Sequence, residues 1–461
     1  MDRIGVPPER RPRALPWILL ALLLLRWYLA TLPGYPPDLT TYKRWALTAA
    51  LEGVHTIYDD PQTTYDYPPL YGLLLTPVGH LYHAIAPQAA ESRGDSATFS
   101  ILVKLPPQIF DLLTALLLAT LAFRKKLWPP GRARRGWLPA LLYLAFPAVL
   151  FDTTYWGQPD SIHTLFVLLA LTLILRGRPE WGWAAAAWAC LMKPLALPFL
   201  PLLAVATIVR SGWVRLCSGG LAAGAAGLLV FVPFLVTGRG ALVFERLISD
   251  ATLMPYTSVN SHNLWWLIGS WRNASVPWIG PLTPTLFGLI LFGLAYLGAL
   301  GLALQIEWKR AGRAPIGRGA HPLGEQMHWY IAFTAVAFSF FLFSTHMHEN
   351  HLFAALPGLI LLAGLGKRWA WLCALVGFSA LVNMAIHDLH LAHALWMRIG
   401  GPSAFYHPDL ARPLSRFELW TANLNAALLV LLFGAFVALA ARRLLRDARG
   451  ALRLGDRLET Q

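Results

Sequence analysis

The sequence contains little charge and little cysteine for a chain of its length. Only 13% of its 461 residues are Asp, Glu, Lys or Arg, whereas about 25% of the residues in a soluble globular protein are charged. This composition excludes an ordinary water-soluble enzyme. The three cysteines, Cys190, Cys217 and Cys373, stand within or beside apolar runs. So sparse and odd a set provides no disulfide framework.

Acidic residues are also scarce relative to basic ones. The chain has 24 Asp and Glu against 38 Lys and Arg, which gives a formal net charge of +14. The basic residues concentrate in short connectors between apolar runs, which is the positive-inside pattern of membrane proteins and suits an anionic lipid surface. We therefore expect a lipid bilayer as partner and no nucleic acid. The basic connectors are residues 10–13, 124–135, 309–313, 367–368 and 442–446.

Long apolar runs make up most of the sequence, and 56% of the residues are hydrophobic. A membrane-spanning helix needs about 20 mainly apolar residues. The sequence therefore predicts an all-α polytopic membrane protein with about twelve transmembrane helices, some of them short. The candidate spans are 14–32, 101–123, 137–151, 161–176, 181–193, 195–209, 216–237, 282–306, 327–344, 350–366, 369–387 and 419–441.

The segment 68–86 is apolar enough to resemble a further span. If this segment crossed the membrane, the basic connector 124–135 would lie on the same side as the loop that contains Asp38, against the positive-inside rule. We therefore predict an interfacial or re-entrant helix there, with both termini cytoplasmic. Residues 14–32 carry no small-residue cleavage site and are expected to be a retained helix.

We expect one integral membrane domain over residues 1–461. Its core spans 14–366, further helices follow over 367–441, and a basic cytoplasmic tail covers 442–461.

The first polar loop carries the most chemistry. Asp38 follows two prolines, which stiffen the backbone before it, and Arg44 and Trp45 come shortly after. Asp66 and Tyr67 stand in a second polar stretch of the same loop. An acid, a cation and aromatic rings at a membrane interface indicate chemistry on an anionic, partly apolar substrate. For the aromatic rings alone, anchoring at the membrane interface is the simpler explanation.

Two further polar groups interrupt apolar runs. Gln158 and Asp160 belong to a turn between helices, where polar groups at membrane depth often mark a site, although Asp160 is also a good helix N-cap. Lys193 stands before a proline. Its side chain either reaches the membrane interface or presents a cation to a phosphate.

The loop 238–281 gathers Asn260, His262 and Asn263 beside paired tryptophans. Amide, imidazole and indole groups suit sugar hydroxyls through hydrogen bonds and stacking. The alternative is a hydrated interfacial loop.

The segment 341–351 contains His346, His348 and Glu349 near a helix end. These groups could bind a metal, contact an anion or cap the helix. A spacing of two does not bring two histidines to one helix face, so we favour contact with an anion and expect no metal or other cofactor to be required.

These segments together resemble the GT-C glycosyltransferases, and most closely bacterial relatives of the endoplasmic-reticulum glucosyltransferases that extend the asparagine-linked lipid oligosaccharide. The similarity covers roughly residues 14 to 366, and its motifs occur in the same order. They are the Asp38–Trp45 spacing, Asp66-Tyr67-Pro68-Pro69-Leu70, Trp156-Gly157-Gln158-Pro159-Asp160, Lys193-Pro194, Asn263-Leu264-Trp265, and Phe341-Leu342-Phe343-Ser344 with His348-Glu349.

The resemblance implies a GT-C-like bundle with interfacial helices in the first loop, on the outer face. It implies a polyprenyl- or dolichyl-phosphate-linked hexose donor, mannose or glucose, and an inverting transfer to a lipid-linked or glycan acceptor. Asp38 would be the general base, and His348 would lie near the donor phosphate. The membrane would be a bacterial plasma membrane, or the endoplasmic reticulum in a eukaryote.

The chain departs from the family pattern in places. Asn350 stands where the relatives have lysine, and the turn ending at Asp160 lacks their histidines. Leu39 after Asp38 argues against the protein O-mannosyltransferase branch, which carries an acidic pair there.

Two other classes share some of these features. A transporter or flippase of lipid-linked saccharides without catalysis would show inverted repeats and ionisable groups near the bilayer midplane. A polymerase or ligase of lipid-linked glycans would share the topology and the lipid substrate, but we would not expect Asp38 with the Tyr67-Pro68-Pro69 run there.

Overall fold

The computed structural model describes residues 14–59, 65–124, 136–250, 254–311, 326–388 and 415–459. The described part of the chain is all-helical, with 81% of its residues in helix. Within the described ranges, extended backbone pairs only at three isolated β-bridges: Tyr256 with Asn273, Ser258 with Met347, and Ile279 with Leu282.

The first half of the chain forms ten α-helices. They are α1 (Leu15–Thr31), α2 (Pro36–Thr48), α3 (Pro69–Ile85), α4 (Pro87–Glu91), α5 (Ala97–Val103), α6 (Leu105–Arg124), α7 (Leu138–Leu144), α8 (Pro147–Val149), α9 (Asp160–Leu175) and α10 (Pro179–Met192). A π-helical turn, Ala49–Gly53, and a 3₁₀ turn, Val54–Thr56, follow α2, and another π-helical turn, Leu150–Trp156, follows α8.

The second half continues in the same way. Its α-helices are α11 (Leu200–Ser211), α12 (Trp213–Val236), α13 (Gly240–Asp250), α14 (Leu264–Gly269), α15 (Pro284–Ala311), α16 (Met327–Phe343), α17 (Leu356–Ala363), α18 (Lys367–His387) and α19 (Arg416–Glu459). The 3₁₀ turns Pro194–Phe199 and His351–Ala355 precede α11 and α17.

Six of the described helical segments are long and apolar enough to cross a membrane, or up to eight if each of two bent pairs counts as one span. The six are Ala97–Ala122, Pro194–Ser211, Trp213–Val236, Pro284–Lys309, Lys367–His387 and Arg416–Arg446. This is the pattern of a multi-pass membrane protein.

The predicted count of about twelve spans is not confirmed. Three of the predicted spans correspond to shorter apolar helices, Asp160–Leu175, Met327–Phe343 and His351–Ala363. α9 and α16 are apolar around their whole circumference and almost entirely buried, as expected of helices enclosed by other helices. α3, in the segment predicted not to cross, is not among the candidate spans.

A sharp bend follows the first helix. The axes of α1 and the helical segment Pro36–Thr56 differ in direction by 91°. Two prolines start α2, where a missing N–H costs nothing. Gly34 makes the turn with φ +69°, and a Cβ there would lie 2.5 Å from the backbone oxygen of Tyr155. Only glycine fits this position.

Two large apolar cores, and a small third cluster of Trp266, Ala422 and Ala426, hold the described helices. The larger surrounds α9 and α16 and extends to α6, α17 and α19. The smaller joins α2 to α3 and α5 and is rich in aromatic rings, including Tyr42, Trp45, Tyr65 and Tyr71. The rigid platform formed by the second core supports the side chains described next.

Candidate functional site

Asp38 lies in the first turn of α2, half-buried, at the bend after α1. Its Oδ2 accepts a hydrogen bond from Trp156 Nε1 at 2.8 Å and another from Gln158 Nε2 at 2.5 Å. No donor within the described residues reaches Oδ1. One carboxylate oxygen is therefore held by the protein, and the other is left to accept a proton or a hydrogen bond from a bound molecule.

The two donors reach Asp38 because the backbone before them is irregular. The π-helical turn Leu150–Trp156 ends at Gly157, which has φ +91°. The N–H groups of Gly157 and Gln158 both donate to the backbone oxygen of Asp152, each at 3.0 Å. Single π-helical turns are rare and often occur at functional sites. This turn places Trp156 and Gln158, two residues apart, so that both side chains reach Asp38 Oδ2.

Gln158 is itself oriented by a tyrosine. Tyr42 OH donates to Gln158 Oε1 at 3.1 Å, which leaves the amide N–H₂ of Gln158 facing Asp38. Tyr42 stands four residues after Asp38 on α2, so both side chains lie on one helix face. The base candidate and the group that orients its partner belong to the same helix.

The environment of Asp38 adjusts its acidity. Burial raises its pKa to about 6, against the hydrogen bond from Trp156, the charge of Lys193 and the hydrogen bond from Gln158, which lower it, while Asp160 raises it. At neutral pH the carboxylate is mainly ionised, with a pKa close to the working pH, which is the condition for an efficient general base.

Asp160 connects three separate segments. Its Oδ1 accepts from Lys193 Nζ at 2.5 Å and its Oδ2 from Asn350 Nδ2 at 2.6 Å. All three side chains are buried. With both oxygens engaged, Asp160 is not available as a base, and it fixes the ammonium of Lys193 instead. That ammonium also lies 5.5 Å from the ring centre of Tyr67.

His348 and Glu349 lie in the same electrostatic environment. Burial, with the nearby charge of Lys193, lowers the pKa of His348 to about 4, so the imidazole is neutral at pH 7. The backbone N–H of His348 donates to His351 Nδ1 at 3.1 Å. Glu349 is 8% exposed, and its Oε2 has no hydrogen-bond partner within the described residues.

We call these side chains the Asp38 cluster: Asp38, Trp156, Gln158, Asp160, Lys193, His348, Glu349 and Asn350. Segments that are far apart in sequence supply it, namely α2, the turn before α9, the end of α10 and the loop after α16. Six of its members were predicted as site residues, and they are Asp38, Gln158, Asp160, Lys193, His348 and Glu349.

Other predicted residues of the first loop have different surroundings. Trp45 is 2% exposed, and its ring lies 4.6 Å from that of Tyr65 and 5.4 Å from that of Tyr67. Trp45 therefore supports the site by packing against these aromatic rings. Arg44 and Asp66 are exposed.

His262 belongs to a second buried network. Asn425 Nδ2 donates to His262 Nδ1 at 2.8 Å, so His262 Nε2 carries the proton and donates to His387 Nε2 at 3.0 Å. The backbone N–H of His262 donates to Asn383 Oδ1 at 2.9 Å. All four side chains are buried. These bonds attach the loop before α14 to α18 and α19.

The remaining predicted residues fix the same loop. Asn263 caps α14 and donates to the backbone oxygens of Phe341 and Ser344, at 3.1 and 3.3 Å. Asn260 and His346 both adopt positive φ, at 62° and 63°, and Asn260 Oδ1 accepts from Trp271 Nε1 at 3.3 Å. Such backbone conformations mark a tightly determined turn.

Trp156, Asn350 and Tyr42 were not among the predicted site residues. Trp156 stands two residues before Gln158, Asn350 directly follows Glu349, and Tyr42 is one helical turn after Asp38. Helical spacing was therefore a signal for Tyr42. Nothing in the sequence indicates that Asn350 bonds to Asp160, because the two are distant in the chain.

The Asp38 cluster contains carboxylates and an imidazole, but their arrangement is not that of a metal site. Among the described residues, no group of three or more His, Cys, Asp or Glu is arranged to hold a metal ion. A scan with protein-family models matched none of them, and a search of curated proteins found no significant match.

Proposed function

We propose that the chain is an inverting hexosyltransferase of the GT-C type. It would move mannose or glucose from a polyprenyl-phosphate-linked donor to a lipid-linked or glycan acceptor on the outer membrane face. The proposal includes the finer fold assignment, a GT-C-like bundle in which α2 and α3 are interfacial helices of the first outer loop.

The observation that carries the proposal is the network formed by four sequence-distant segments around Asp38. Trp156 and Gln158 bond one oxygen of Asp38 and leave the other unbonded, and Asp160, two residues after Gln158, bonds Lys193 and Asn350, at the bend after α1. A lipid-phosphate donor needs such a place, because its chain stays in the bilayer while its sugar and phosphate meet water and the acceptor.

The transfer itself needs one base. Asp38 Oδ1 would accept the proton of the acceptor hydroxyl as that oxygen attacks C1 of the hexose. The new bond forms between the acceptor oxygen and C1, the bond between C1 and the phosphate oxygen breaks, and its electron pair stays on the leaving polyprenyl phosphate. Attack opposite the leaving group inverts C1. The proton on Asp38 then passes to water.

The charge of the leaving phosphate also needs stabilisation. Lys193 supplies a cation held by Asp160, and neutral His348 can donate one N–H to a phosphate oxygen. Fixed donors of this kind, aimed at developing charge, contribute strongly to catalysis. Asn350, in place of the family's lysine, contributes no charge and holds Asp160 instead.

The test uses purified protein in detergent with radiolabelled short-chain polyprenyl-phosphate-mannose and polyprenyl-phosphate-glucose, and total lipid extract as acceptor. We expect label to move to a new product with release of polyprenyl phosphate, and Asp38→Asn to lower the rate by about 10²–10⁴-fold. Asp95→Asn, which changes an exposed carboxylate on the same side, is the matched control.

Undiminished transfer by Asp38→Asn would refute Asp38 as the base. Movement of the intact labelled donor across a liposome membrane, without cleavage of its sugar–phosphate bond, would favour the transporter alternative.

A further inference from the structure

Glu349 is a buried carboxyl group with no cation bound to it. Its Oε2 is enclosed and has no hydrogen-bond partner within the described residues, and its other oxygen is contacted by its own backbone N–H. A buried polar atom without a partner costs about 1–3 kcal/mol. Such an atom in a candidate site therefore indicates either a bound molecule that supplies the partner or a functional role.

The charged groups around Glu349 come from three other segments. Asp38 from α2 and Asp388 from the end of α18 are acidic, and Lys193 after α10 is basic. Lys193 is already engaged by Asp160 at 2.5 Å. Asp388 is fully buried and accepts a hydrogen bond from Tyr155. The charges that act on Glu349 are therefore those of Asp38, Asp388 and Lys193, and Lys193 is already bonded to Asp160.

We infer that Glu349 is a neutral carboxylic acid whose Oε2–H donates a hydrogen bond to a phosphate oxygen of the bound lipid donor. An ionised Oε2 could only accept hydrogen bonds, and would repel the phosphate. A protonated Oε2 is a donor that no described residue uses, within the electrostatic influence of Lys193 and Asp38.

The acidity of the group agrees with this geometry. Burial has the largest effect and raises the pKa of Glu349, whereas the hydrogen bond from its own backbone N–H lowers it. The charge of Asp38 raises the pKa, Lys193 lowers it and Asp388 raises it, to a final value of about 8. The carboxyl is therefore mainly protonated at pH 7 and loses its proton above about pH 8. Ionisation would replace the donor by a negative charge beside the phosphate, so binding of an anionic ligand should weaken as pH rises.

The protonation state can be measured without any turnover. Infrared spectra of the purified protein should contain a protonated-carboxyl band at pH 7 that disappears above about pH 8 and is lost in Glu349→Gln. Glu91→Gln, an exposed carboxyl, should leave the band unchanged. A wild-type spectrum without a band that Glu349→Gln removes would overturn the inference, whatever reaction the protein catalyses.

The hydrogen bond is tested by binding of a short-chain polyprenyl phosphate between pH 6 and pH 9. We expect wild-type affinity to fall through about pH 8, Glu349→Gln to bind with unchanged affinity over the whole range because its amide also donates, and Glu349→Ala to bind about tenfold more weakly. Thermal melting verifies that each variant is folded.

If Glu349→Ala does not fold, the comparison of Glu349→Gln with wild type still decides the matter. A Glu349→Gln variant that bound the phosphate lipid much more weakly at pH 7, or kept the fall at pH 8, would overturn the inference. The phosphate lipid as ligand rests on the proposed function, but the two fail differently. Absence of sugar transfer with an intact pH-dependent binding curve refutes only the transferase.

Discussion

The Asp38 cluster and a second polar cluster on α1, α6 and the turn after α8 differ in how completely they are bonded. The second, which we call the Arg26 cluster, consists of Arg26, Asp111, Tyr143, Thr153 and Thr154. Asp111 Oδ2 accepts from Arg26 Nη1 at 2.8 Å and from Thr153 Oγ1 at 2.5 Å, and its Oδ1 accepts from Tyr143 OH at 2.8 Å. The guanidinium also donates to Leu144 O and Thr154 Oγ1.

Both carboxylate oxygens of Asp111 and all three guanidinium nitrogens of Arg26 are thus bonded to protein. In the Asp38 cluster, by contrast, Asp38 Oδ1 and Glu349 Oε2 have no partner within the described residues. Both clusters contain buried acids and a buried cation, although Asp38 and His348 are half-buried, so the burial of charged groups alone does not distinguish a structural network from a candidate site. The two clusters differ in whether polar atoms remain unbonded and can bind a ligand.

The sharpest test of this contrast replaces one carboxylate in each cluster by its amide. We expect Asp38→Asn to reduce transfer by about 10²–10⁴-fold with little change in stability, because the amide still occupies the place of Oδ2. Asp111→Asn should lower the free energy of unfolding by about 3–5 kcal/mol, because a buried guanidinium loses its counter-charge. Activity per folded molecule and thermal melting in detergent measure the two effects. An inactive, fully stable Asp111→Asn protein would contradict the contrast.

A double replacement examines the Arg26 cluster further. Arg26→Met alone should destabilise the protein by about 3–5 kcal/mol, since Asp111 then lacks its cation. Adding Asp111→Leu should recover most of that loss, because well-packed apolar side chains often replace a buried ion pair at little cost. Melting temperatures of both variants decide this. If the double variant also lost transfer activity per folded molecule, the Arg26 cluster would have a role beyond structure.

Lys193→Met should weaken donor binding more than it slows the chemical step. The methionine retains apolar contacts but removes the ammonium that would face the phosphate of the proposed donor, and we expect the donor KM to rise about tenfold. Lys43→Met is the matched control, because Lys43 is a similarly buried lysine that pairs with Asp95. Initial rates over a range of donor concentrations separate KM from kcat. Equal effects of both variants on KM would remove Lys193 from the phosphate site.

The smallest expected effect is a shift in pH dependence. The hydrogen bond from Trp156 lowers the pKa of Asp38, so Trp156→Phe should raise that pKa above about 6. Transfer requires the ionised carboxylate, and the acidic limb of kcat/KM should therefore move to higher pH. Trp265→Phe, which removes an indole bond to the backbone oxygen of Phe343, should leave the limb in place. An unmoved limb in Trp156→Phe would mean that another group is the base.

Much of the architecture followed from composition and periodicity. The all-helical, multi-pass character was confirmed, because apolar runs and basic connectors have no other stable arrangement in a membrane. The predicted number of spans was not confirmed, because α9 and α16 are as apolar as spanning helices. Sequence alone cannot tell whether lipid or protein surrounds such a helix.

The sequence also indicated part of the Asp38 cluster, and the role of these residues in a site stays a prediction. Asp38, Gln158, Asp160, Lys193, His348 and Glu349 stood out as polar groups in apolar surroundings, and they do lie together. His262 stood out for the same reason but bonds to His387 and Asn425. A polar residue in an apolar segment indicates that a partner compensates for its desolvation. A neighbouring side chain can be that partner, as can a substrate.

By itself, the sequence determined the helices, the membrane environment and the places where polar groups interrupt apolar runs, because these depend on local composition and on the bilayer as solvent. Only the tertiary structure decided which groups meet. Asp38 and Gln158, or Asp160 and Asn350, come into contact through packing of helices distant in the chain. Hydrogen bonds are short and directional, so small differences in that packing determine which carboxylate oxygens are bonded and which remain for a ligand.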